Sequence, residues 1–97
     1  MIPKNYEEFQ ESLKGQSPPD NWSLPLQALW YDAKGDWESS HDIAQDIHSP
    51  MGSWIHAYLH RKEGDRWNAQ YWYNNANRPF PDYSSSEELR VLVENNL

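Results

Sequence analysis

Residues 55–79, IHAYLHRKEGDRWNAQYWYNNANRP, decide the fold. Gly64 follows a run of helix formers, and Asp65 follows Gly64. A glycine supplies the left-handed residue that ends a helix, and an aspartate is a good N-cap for the next. The stretch therefore reads as two helices joined by a tight turn. After the turn, Ala69, Trp72, Tyr73 and Ala76 fall on one face of a helix. Before it, Trp54, Ile55, Tyr58 and Leu59 form a matching stripe on a helix that Ser49 can cap, with Pro50 at its first position. The two stripes can meet only in an antiparallel hairpin.

An earlier segment repeats this plan. Gly35-Asp36 recurs as Gly64-Asp65, and 64 minus 35 gives an offset of 29 residues. At the same offset Leu26 maps to Ile55, Ala28 to Ala57, Ser40 to Ala69, Ala44 to Tyr73 and Pro50 to Pro79. Turn residues and helical phase agree together, which predicts two hairpins of one design.

The string G-D-x-x-x-A-x-x-x-Y-x-x-A, here Gly64, Asp65, Ala69, Tyr73 and Ala76, resembles the second helix of a tetratricopeptide (TPR) repeat. Gly35, Asp36, Ser40, Ala44 and Ile47 form a degraded copy. Ala28 and Ala57 occupy the small-residue position of the first helix. Tyr31 matches its aromatic position, which His60 takes in the second unit. The resemblance covers roughly residues 22–80 and implies two stacked TPR-like hairpins, at about residues 22–48 and 50–77. It also implies a role in protein interaction. The spacing of 29 is shorter than the usual period of about 34 residues. The phrase HAYLHRKEGD followed by NAQYWY resembles a family of small, uncharacterised proteins as well, which implies no activity.

Outside the hairpins, residues 5–13 read as a short helix, capped by Asn5 with Glu8 completing the box, and with Tyr6, Phe9 and Leu13 inward. Ser23 caps the first repeat helix, and Leu26, Leu29, Trp30 and Ala33 face inward. Arg78-Pro79-Phe80-Pro81-Asp82 is an extended link. Ser85 with Glu88 then forms a second capping box and opens a last helix carrying Leu89, Leu92 and Val93 inward. The expectation is an all-α single domain spanning residues 1–97, with about six helices and a C-terminal capping helix.

Composition narrows the function. No apolar run approaches the roughly 20 residues that span a bilayer, and the start MIPKNYEEF has no signal-peptide pattern, so a cytoplasmic protein with no membrane partner is expected. The chain lacks cysteine, which removes disulfides and thiolate zinc sites. A net charge of −7 with no basic stripe repels a phosphate backbone, so no nucleic acid is expected. Asp32, Asp36, Glu38 and Asp42 around the first turn, and Arg61, Lys62 and Arg66 around the second, read mainly as solvated faces.

No P-loop, dinucleotide fingerprint or nucleophile elbow is present. Ser39-Ser40-His41 cannot pair nucleophile with base, because adjacent helical residues point apart. The acidic pairs Glu7-Glu8 and Glu87-Glu88 sit in first helical turns, where capping and dipole account for them. No catalytic set emerges. The first reading is a protein-interaction module with a protein or peptide partner, self-association as a homodimer being one form of it. Tyr31, His56, His60 and Arg61 would line a groove on the first helices and accept a polar or acidic chain end. Trp67 and Tyr71 lie about 150 to 170° around their helix from the inner stripe. Either the C-terminal helix covers them, which is the simpler expectation for a two-unit stack, or they form an interaction surface. The alternative is a metal- or small-molecule-binding protein or enzyme using His56, His60 and Glu63, which share one helical face and would hold zinc if anything. That set lacks the glutamate of H-E-x-x-H, since Ala57 stands in its place, and a fourth group could come from His41, Asp42 or His48, which nothing in the sequence brings near. Ordinary hydrogen-bonding histidines and no cofactor are the simpler expectation.

Overall fold

A computed structural model describes residues 2–97. It contains α1 (Tyr6–Ser12), α2 (Leu24–Ala33), α3 (Trp37–Gln45), α4 (Pro50–Lys62), α5 (Arg66–Asn75) and α6 (Ser85–Glu94), and no strand among the described residues. Capping side chains define these boundaries. Asn5, Ser23, Asp36, Ser49 and Asp65 each accept a hydrogen bond from the backbone N–H three residues on, as their sequence positions predict.

Helices α2 and α3 form one antiparallel hairpin, and α4 and α5 form the second. Their turns are built identically. Gly35 and Gly64 take φ of 89° and 85°, the left-handed region where a Cβ is penalised. Asp36 N–H donates to the Tyr31 carbonyl at 2.9 Å, and Asp65 N–H to the His60 carbonyl at 2.9 Å. This is the Schellman closure, and it recurs at the expected offset. A third copy ends α5, where Asn77 (φ 62°) replaces glycine and Arg78 N–H donates to the Tyr73 carbonyl.

The stripes read from the sequence form the core: Leu26, Leu29, Trp30, Trp54, Ile55, Tyr58, Leu59, Ala69 and Tyr73 are buried. Gly52 is needed where α4 crosses the preceding chain, since a Cβ there would lie 2.0 Å from the Ile47 carbonyl oxygen. Ser40, the repeat equivalent of Ala69, is fully buried, and its hydroxyl has no hydrogen-bond partner among the described residues.

The C-terminal helix departs from expectation in two ways. Its cap is Ser84, which accepts from Glu87 N–H at 3.1 Å, one residue earlier than the Ser85/Glu88 box. Glu88 is thereby released from any capping role and points inward, fully buried. It accepts from Trp54 Nε1–H at 3.0 Å, from the Tyr73 hydroxyl at 2.7 Å and from Arg61 Nη1 at 2.8 Å. These partners lie on α4 and α5, so α6 is drawn across α4 and α2 and also touches α1. The expected cover over Trp67 and Tyr71 is therefore absent, and they are 78% and 53% exposed.

Several charges read as solvated are not. Asp32 is buried and accepts from the Tyr58 hydroxyl at 2.6 Å and from Lys62 Nζ at 2.9 Å, joining the two turns. Arg61 spans from Glu88 to the Tyr83 carbonyl. Burial, reinforced by Asp32 and Glu88 respectively, pushes the Tyr58 and Tyr73 phenols well up, so both act as hydrogen donors.

Candidate metal centre

His56 and His60 lie one turn apart on α4, on the side that meets α3. His41 reaches them from α3. Its Nε2 is 2.9 Å from His56 Nε2, and one ligand nitrogen from each of the three rings lies within 4.8 Å of the others. The His56 and His60 rings are nearly parallel, 4.9 Å apart at 22°. His41 stands across both, at 85° to His56 and 79° to His60.

Each ring has an orienting neighbour. Trp72 of α5 stacks on His56 at 4.0 Å and 16°. Trp37 stacks on His41 at 4.8 Å and 13°, and its own indole N–H is fixed to the Leu59 carbonyl at 2.8 Å. His60 bonds through Nδ1 to Glu63 Oε1 at 2.6 Å. When that Nδ1 carries hydrogen, it donates to the carboxylate and leaves the Nε2 lone pair free.

Burial first, then the neighbouring His41 and His60, push the His56 imidazole down to about 4. Burial first, then His60, also lowers His41. Neutral imidazoles hold the lone pairs a metal needs. Between two neutral rings, one Nε2–H donates to the other nitrogen, so His41 and His56 can stay together without an ion. Around a tetrahedral ion, nitrogens about 2.0 Å from the metal stand about 3.3 Å from one another. Side-chain adjustments that close the widest separation, within 4.8 Å, by up to about 1.5 Å would bring the three nitrogens to that spacing.

No protein-family model, curated protein or solved structure matches the chain.

The geometry of the cluster redistributes the residues singled out by spacing. His56 and His60 come together, but Glu63 lies behind His60, and His41 supplies the third nitrogen. His60, Glu63 and Asp65 also place ligand atoms within 4.8 Å of one another. Asp65, however, is committed to α5, accepting from Asn68 N–H at 3.2 Å and from its side-chain amide at 2.6 Å. The four expected groove residues point to different neighbours. Arg61 turns to Glu88 on α6, while His56 and His60 turn to His41 on α3. Tyr31 sets its ring edge-on to Trp30. His41 carried a signal of its own: with Trp37 it makes an i, i+4 pair on α3, matching the His56/His60 pair on α4.

Proposed function

We propose that this protein binds one divalent transition-metal ion through His41, His56 and His60, with zinc the ion best suited to an all-imidazole set. The observation that carries this reading is the convergence of three imidazoles from two hairpins within 4.8 Å. Glu63, Trp37 and Trp72 support it by fixing ring orientation before any ion arrives. An ion there would tie α3 to α4 and hence one hairpin to the next. Native mass spectrometry and titration calorimetry of chelator-treated protein are expected to show one zinc per chain. His56→Ala and, separately, the less buried His41→Ala should abolish stoichiometric uptake. His48→Ala, which removes the fourth histidine, should leave it unchanged. Equal zinc binding by wild type and both cluster variants, at matched helicity, would overturn the reading.

A second reading, a TPR-like interaction module, is supported by the outer face of α5. Trp67 and Tyr71 stand exposed one turn apart, and α5 carries no carboxylate side chain in a protein of charge −7. Two copies can approach there without the repulsion that the rest of the chain imposes, so the partner best fitted is a second copy. Sedimentation equilibrium is expected to detect a dimer that the Trp67→Ala/Tyr71→Ala variant loses. A wild-type chain that stays monomeric at millimolar concentration would remove self-association from consideration.

A further inference from the structure

We infer that the three-histidine ion keeps one coordination position open, filled by water or hydroxide and exchangeable for a small monodentate anion. This rests on the metal reading above and extends it, because structural zinc sites are closed by four protein ligands while reactive ones hold three and a solvent molecule.

The fourth donor is what the site lacks. Among the described residues, the group around His41 and His56 contains three ligand atoms and no carboxylate. Glu63 is the nearest candidate, but its carboxylate is bonded to His60 Nδ1. The two lone-pair directions of an imidazole diverge, so a carboxylate held at Nδ1 cannot also reach an ion held at Nε2. Glu63 is therefore a positioning residue: it fixes the tautomer and ring plane of His60. Asp65 is spent on capping α5, and cysteine is absent from the chain. Trp37 and Trp72 fill the flanks with indole rings, which offer no lone pair to a metal.

Solvent has access to what remains. His41 and His60 are only partly buried, whereas a closed structural site would seal its ligands. A cleft of about 430 Å³ lies behind the orienting residues Trp37 and Glu63, lined also by Asp32, Gly35 and Lys62, and touches none of the three histidines. A second, of about 380 Å³, borders His56 and Trp72 and carries the side chains of Gln45, Ser53 and Asn75. Three neutral imidazoles leave the ion's charge of two uncompensated, which favours an anion at the fourth position. The same charge lowers the pKa of bound water toward neutrality, so hydroxide is the resident form as pH rises through about 7.

Cobalt(II) replaces zinc in such sites and reports its own coordination through visible absorption, and sodium azide is a suitable small anion. Chelator-treated full-length protein is loaded with one equivalent of cobalt chloride and titrated with azide. The expected result is the visible spectrum of four-coordinate cobalt, shifting saturably with one azide per chain. Cobalt bound at one per chain with a spectrum indifferent to azide would overturn the open position and leave the metal reading standing. Absence of cobalt uptake would overturn both. Glu63→Gln separates positioning from ligation: it should keep the azide response while weakening cobalt affinity by about 10- to 100-fold. A loss of four-coordinate cobalt in that variant, restored by Glu63→Asp, would make Glu63 the fourth ligand and refute the open site.

Discussion

Glu88→Ala is expected to lower the stability of the protein by about 3 to 5 kcal/mol, the cost of removing one partner from a buried ion pair. Glu88 is fully buried, and its two oxygens serve Trp54, Tyr73 and Arg61. Truncation would strand an indole N–H, a phenol and a guanidinium, each already removed from most of its water. It would also cut a fully buried polar tie between α6 and the second hairpin. For a chain of this length the loss corresponds to a fall in Tm of roughly 15–30 °C. Glu88→Gln keeps the shape and one acceptor oxygen, and should lose less. In the Arg61→Leu background, Glu88→Leu should cost less than Glu88→Ala does in wild type, because the guanidinium is no longer left behind. Urea denaturation followed by far-ultraviolet circular dichroism measures all of these. A Glu88→Ala loss below about 1 kcal/mol would mean that the carboxylate reaches water.

The contrast between Glu88 and the turns shows which part of this fold is legible in the sequence. Gly35-Asp36 and Gly64-Asp65 act within five residues of themselves, through a left-handed glycine and a cap, so local chemistry suffices to place both hairpins. Glu88 follows Glu87 near the start of a helix, where capping offers each a sufficient local explanation. Ser84 and Ser85 offer two adjacent caps, and Ser84 takes the role. Leu92 and Val93 are buried as their spacing predicts, and Glu88, one turn before Leu92, shares their face and so meets Trp54. The placement of α6 then follows from Glu88 and not from the exposed face of α5, which is why Trp67 and Tyr71 stay uncovered.

The candidate centre was half legible for a related reason. The spacing of His56 and His60 on one helix is a local property, and their pairing could be read directly. His41 joins them because α3 packs against its own hairpin partner and against the first helix of the next unit. The inner stripe read from periodicity records only the first of those contacts. Trp37 and His41 sit beside that stripe and serve the second. Glu63 satisfied the spacing of a ligand, yet hydrogen bonding to His60 puts it behind the ring.

Chelator-treated protein is expected to lose about 3 kcal/mol of stability as pH falls from 7 to 4, ahead of ordinary acid unfolding. His56 is 7% exposed and holds its proton only below about 4, because burial and the rings of His41 and His60 disfavour the imidazolium. In the unfolded chain the same group titrates near 6.5. Between those values the unfolded state binds the extra proton, so stability rises with pH across the window and is complete above it. His41, also lowered, adds to the slope in the same direction. The capping carboxylates Asp36 and Asp65 are held below their usual range by their bonds to Ser39 and Asn68, so their contribution is lost only at more acidic pH and does not shape this window. Urea midpoints measured at half-unit steps of pH give the slope, and His56→Gln should remove most of it. Equal midpoints at pH 7 and 4.5 in wild type would show that the cluster opens to let His56 reach water. Saturating zinc should raise stability at pH 7 by RT ln(1 + [Zn]/Kd) and lose that gain as protons displace the ion, making the pH dependence steeper with metal than without.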